Sequence, residues 1–109
     1  MSPEIGLILT TFADEDAAAS VVRTLVEERL IACGSLIPGV TSIYRWKEAL
    51  EESAEVQVML KTSAETASRC MVRLAELHPY EVPEIIELEP KAVSGPYASW
   101  LRDSLRKPE

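Results

Sequence analysis

Apolar residues recur at every second position in some stretches of the chain and at every third or fourth in others. The order of those stretches predicts its elements. Ile5 to Thr11 is short and rich in β-formers, with Ile5, Leu7 and Leu9 alternating against Gly6 and Ile8. A strand apolar on both faces wants cover on both. Asp14, Glu15 and Asp16 then offer an N-cap and an acidic first turn suited to a helix dipole. Ala18, Val21, Val22, Leu25 and Val26 recur at helical spacing, which predicts a first helix from about Glu15 to about Leu30.

Ile31 to Lys47 reads as extended, interrupted at Pro38-Gly39 by a bulge or bend, because strand-like residues resume at once. Beyond it, a period of two places Val40, Ser42, Tyr44 and Trp46 on one face. Glu48 to Glu55 reads as an acidic turn region, and Val56 to Lys61 as the third strand. Ser63 can cap a second helix with a stripe of Ala67, Cys70, Met71, Leu74 and Leu77. Pro79 stops it, because proline has no N–H for the helical ladder. Glu84 to Leu88 makes a short fourth strand. Gly95-Pro96 then opens a last helix, with proline at the first position and Tyr97, Trp100, Leu101 and Leu105 as its apolar stripe.

The order is βαββαβ followed by a helix, an α+β, ferredoxin-like arrangement in a single domain of residues 1–109. Two helices cover one face of a four-stranded sheet and leave the other bare. Ile8 is expected on the bare face, and the long second strand is expected to project beyond the sheet. Burial against other copies of the chain is the economical way to cover both.

Composition narrows the function. Eighteen acidic against eleven basic residues give a net charge of −7, without the basic stripe that phosphate recognition needs. Nucleic acid and membrane are therefore not expected as partners, and a cation is electrostatically welcome. The two cysteines, Cys33 and Cys70, lack CxxC spacing and read as reduced thiols of a cytoplasmic protein. The run Ile5 to Leu9 is too short and lacks the basic flank of a signal segment or a span.

The densest polar and aromatic cluster is His78-Pro79-Tyr80-Glu81-Val82-Pro83-Glu84, in which two prolines fix how His78, Tyr80 and Glu84 are presented. His78 falls at a helix C-terminus, where the dipole favours a protonated imidazole; a capping role is the plain reading. As a metal site, Cys33, His78 and Glu84 are the candidate ligands, with donor types that suit copper or zinc. They come from distant segments or separate subunits. Cys70, within an apolar stripe, reads as a small core residue. Tyr44 and Trp46 serve either interface packing or a ligand platform. No triad, oxyanion loop or phosphate-cradling glycine run is present, so neither catalysis nor an organic cofactor is expected.

Long motifs now carry a resemblance. Ala32-Cys33 followed by Leu36-Ile37-Pro38-Gly39-Val40-Thr41-Ser42-Ile43-Tyr44-Arg45-Trp46 resembles the hallmark of the CutA divalent-cation tolerance proteins. Glu55 to Thr62, Leu77 to Ile85 and Tyr97 to Leu101 are similar to that family's remaining signatures, in the same order. The resemblance implies a cytoplasmic homotrimer, built like the PII signalling proteins, in which long second strands extend the sheets across subunits. It implies a response to metal ions, with copper or another divalent cation as the proposed ligand. The alternative is a sensor or structural trimer acting through a protein partner. Carried over residue by residue, the cleft residues are Tyr44, Trp46, Lys61, Tyr80 and Glu84, and the metal residues are Cys33 and His78. Thr10 and Leu77 stand where copper-binding members can carry a cysteine and a second histidine. Glu48 replaces a usual glycine, and Ser35 a common asparagine.

Overall fold

The computed structural model describes residues 4–107. Its elements are β1 (Ile5–Phe12), α1 (Glu15–Glu27), β2 (Cys33–Trp46), β3 (Ala49–Ser63), α2 (Ala64–Leu77), β4 (Ile86–Leu88) and α3 (Gly95–Leu105). The sheet runs β2-β3-β1-β4 and every neighbouring pair is antiparallel. The β1–α1–β2 connection therefore passes over β3, and β3–α2–β4 passes over β1. This is the ferredoxin-like order, with α3 added.

Alternation along the strands decides what each face buries. Ile8 and Phe12 of β1 join Val56, Val58 and Leu60 of β3 beneath Leu25 of α1 and Cys70 and Leu74 of α2. Ile8 thus lies on the helix side, not on the bare face expected for it. The opposite face carries Leu7 and Leu9, with Lys61 and Met59 opposite them on β3 and Leu88 and Ile86 on β4. Helix α3 covers one end of that face, where Ala98 and Leu101 close over Ile5. Tyr97 and Trp100 remain exposed, so the buried stripe of α3 is narrower than its pattern predicts. Pro96 falls within the first two helical positions, behind Ser94 at the N-cap.

Helix α1 ends three residues before Leu30. Arg29 takes φ +61°, its N–H bonds the Val26 carbonyl, and the Leu30 N–H reaches back to the Leu25 carbonyl. This is a Schellman termination. Its closing hydrophobe, Leu30, packs on the core as a helical residue would, which is why periodicity alone extends the helix. Side chains Asp14 and Ser63 cap α1 and α2 as expected. Gly34 is needed where α1 crosses β2, since a Cβ there would stand 2.7 Å from the Val22 side chain.

The largest departure from the sequence reading is β3. Residues 49 to 55, expected as a turn, continue the strand and pair with β2 as far as Trp46↔Ala49. Cross-strand hydrogen bonding overrides the low strand preference of Glu51 and Glu52, which stand exposed on a ribbon. The turn is only Lys47-Glu48, both with positive φ (49° and 66°), as a type I′ hairpin requires. The long β2–β3 hairpin helps give the chain a radius of gyration of 14.8 Å, above the ~13 Å of a compact domain this size.

Candidate functional site

One structural irregularity places the site. In β2, Ile37 pairs with Gln57 but Val40 pairs with Glu55, so Pro38 and Gly39 add one residue to the strand. Gly39 takes φ +77°, a conformation open to glycine. Before the bulge, the odd-numbered residues Cys33, Ser35 and Ile37 share the bare face; after it, the even-numbered Ser42, Tyr44 and Trp46 do. The aromatics of the hairpin arm are thereby turned onto the same side as Thr11 and Glu55.

The connection from α2 to β4 closes the other side. Tyr80, Glu81, Val82 and Glu84 approach the arm to line a cavity of about 630 Å³ with Tyr44, Trp46, Glu55 and Thr11. That volume is typical of a small-molecule site. The Tyr80 hydroxyl donates to Glu55 Oε2 at 2.7 Å, tying loop to sheet. Burial first, then that carboxylate, push the Tyr80 phenol well above its ordinary range. The Tyr44 hydroxyl lies 3.2 Å from Ser53 Oγ, which steadies the arm.

His78 holds the loop from behind. Its ring stacks on Phe12 with centroids 4.2 Å apart. Nε2 lies 2.8 Å from the Thr11 carbonyl oxygen, which can only accept, and Nδ1 lies 3.1 Å from the Tyr80 N–H, which can only donate. The neutral Nε2–H tautomer satisfies both, and neither nitrogen keeps a free lone pair. Burial lowers the His78 pKa from its ordinary 6.5, outweighing the Thr11 carbonyl and Glu55, which act the other way. The helix dipole favours a protonated imidazole here, but burial wins.

Four of the five expected cleft residues meet: Tyr44, Trp46, Tyr80 and Glu84 all line the cavity. Lys61 does not. It donates to Ser35 Oγ at 2.9 Å, six residues along β3 from Glu55, or about 20 Å away. Cys33 pairs with Lys61 whereas Thr11 pairs with Gln57, which sets Cys33 and the His78 contact about 13 Å apart along the sheet. Within one chain Cys33 and His78 do not share a ligand. The Cys33 sulfur lies instead 4.0 Å from the Tyr97 hydroxyl. Among the described residues, no three His, Cys, Asp or Glu side chains are grouped to hold a metal ion. Cys70 is fully buried, and burial pushes its thiol up to about 11.

Thr11, Ser42, Ile43, Glu55, Glu81 and Val82 were missed as cleft residues. Glu55 was legible only to a reading that ran β3 back to Ala49, which puts it opposite Val40 on the face of Tyr44.

The fold and cavity define a class: ferredoxin-like α+β chains with a long hairpin arm and a cleft at the arm's root. The model of the CutA1 divalent ion tolerance protein family matches residues 6–104. The chain belongs to that family. A divalent-cation tolerance protein CutA of Thermus thermophilus is 39% identical over 98 residues, covering 90% of this chain and 95% of that protein. One from Citrobacter koseri is 38% identical over 104 residues, 95% of this chain and 90% of that one. Among solved structures, CutA of Xylella fastidiosa matches with a TM-score of 0.91 at 35% identity, over 94% of this chain and 99% of its own. CutA of Synechococcus elongatus matches at 0.92 and 36%, over 97% and 95%. These are not names of enzymes. No helix among the described residues is long and apolar enough to cross a membrane.

Proposed function

We propose that this chain acts in the cytoplasmic response to divalent metal ions as a homotrimer that takes a small ligand in clefts completed between its copies. One observation carries the reading. Tyr44, Trp46, Tyr80 and Glu84, from the arm and the loop, converge on one cavity at the rim of an incompletely covered sheet face. That face offers Leu7, Leu9, Met59, Ile86 and Leu88, and β2 adds Ile37, which is largely exposed. Apolar area of this kind is stabilised by burial against like copies. Sedimentation should give three times the 12.1 kDa chain mass at low micromolar concentration. A stable monomer that unfolds cooperatively would overturn the assembly.

Copper fits this proposal in one form only, with Cys33 and His78 contributed by different chains and His78 released from Thr11 or Tyr80. Copper titration of Cys33→Ala and His78→Ala tests that arrangement, which requires both variants to bind more weakly than the wild type. The engagement of both His78 nitrogens favours a second reading, a sensor or structural trimer that works through a protein partner and needs no metal at this histidine. Equal copper affinity in the two variants and the wild type would put that reading first.

A further inference from the structure

The chemistry of the cavity wall goes beyond a site of unspecified preference. Three aromatic rings, Tyr44, Trp46 and Tyr80, and three carboxylates, Glu55, Glu81 and Glu84, line it, and among the described residues no lysine, arginine or histidine does. Aromatic faces carry negative potential and attract cations. The carboxylates add to that attraction, and the net charge of −7 points the same way. Thr11, 7% exposed, contributes to the same lining. Lys47 already illustrates the pull of the wall, with its Nζ 6.0 Å from the centre of the Trp46 ring, at the outer limit of such an interaction.

A small hard metal ion needs its oxygen ligands close together. The carboxylates here are not grouped in that way. A large cation with its charge spread over apolar substituents needs what this wall provides instead: ring faces to lie against and negative charge at moderate range. We infer that the cleft selects an organic cation, an alkylammonium or quaternary ammonium group, seated against Trp46, Tyr44 and Tyr80 with Glu84 and Glu81 offsetting its charge. This rests on the reading of the cleft as a ligand site and names the ligand class.

Choline, the neutral isostere 3,3-dimethylbutan-1-ol and the anion 3,3-dimethylbutanoate share one branched shape and differ in charge. Calorimetry on the wild-type assembly, and Trp46 fluorescence in a Trp100→Phe background, should show saturable choline binding. The neutral isostere should bind about tenfold more weakly, and the anion not measurably. Added salt, Glu84→Gln and Trp46→Leu should each weaken choline binding. Equal or tighter binding of the neutral or anionic analogue would overturn the cation class while keeping the cleft as a site. Acrylamide quenching separates the remaining outcomes. If Trp46 is open to acrylamide and none of the three probes binds, the cation inference falls alone. If Trp46 is shielded in the assembly and none binds, a second copy fills the cleft and the ligand-site reading falls with it.

Discussion

The Lys47-Glu48 turn invites a substitution whose effect can be worked from the backbone. Both residues hold positive φ, and neither is glycine or asparagine. An L-residue in the left-handed region is disfavoured by about 1–2 kcal/mol. Glycine at position 48 removes that strain, and its greater freedom in the unfolded chain takes back about 0.5–1 kcal/mol. Glu48→Gly should therefore stabilise each chain by about 0.5–1 kcal/mol. Glu48 is exposed and is not among the cavity-lining residues, so little packing is lost. In thermal unfolding followed by circular dichroism at fixed chain concentration, Tm should rise by about 2–5 °C. Glu48→Ala separates backbone from charge, since it removes the same carboxylate but keeps the Cβ. If alanine raises Tm as much as glycine, relief of repulsion near Glu51 and Glu52 is the cause. If glycine lowers Tm, the turn is not strained.

Two further outcomes follow from buried polar groups. Thr10 is fully buried and its hydroxyl has no hydrogen-bond partner among the described residues, so the near-isosteric Thr10→Val should raise the urea midpoint by the equivalent of about 1 kcal/mol; a lower midpoint would mean that the hydroxyl is bonded. His78 titrates below its ordinary 6.5 in the folded chain, so the unfolded chain binds the extra proton first as pH falls. Stability should decline from about pH 6.5 downward, and His78→Gln should flatten that decline in denaturation curves taken between pH 7 and 5.

The fold was legible where pattern and energetics agree. The four strands, the capped helices and the bulge at Pro38-Gly39 all follow from period, caps and turn residues. The pattern misled where a local signal imitates another structure. Leu30 completes a Schellman motif and so keeps the helical spacing after the helix has stopped. Glu51, Glu52 and Glu55 look like a solvated turn, yet pairing with Tyr44, Ile43 and Val40 makes a strand of them. Of the candidate site, Tyr44, Trp46, Tyr80 and Glu84 were visible as residues, because aromatics and prolines in short motifs stand out. That they share one cavity depends on register. Lys61 and Cys33 belong to the opposite end of the same sheet face, a separation that motif order along the chain does not encode.

The bulge and the turn act together on the cleft. Without the extra residue at Pro38-Gly39, continued alternation would put Ile43 and Arg45 on the face that now holds Tyr44 and Trp46, since one residue of slip exchanges the faces. Without a two-residue turn at Lys47-Glu48, Trp46 would lose its register with Ala49 and the arm its fixed length. Neither device touches the cavity floor. Thr11 and Glu55 are held by the sheet, while the Tyr80 loop is tied back by His78 and Pro79. The cleft is thus assembled from a rigid floor and an arm whose register is set by a few exposed residues. Changes in the bulge should alter what the cleft accepts more than they alter stability, because the core residues Ile8, Leu25, Leu60 and Leu74 lie on the other side of the sheet.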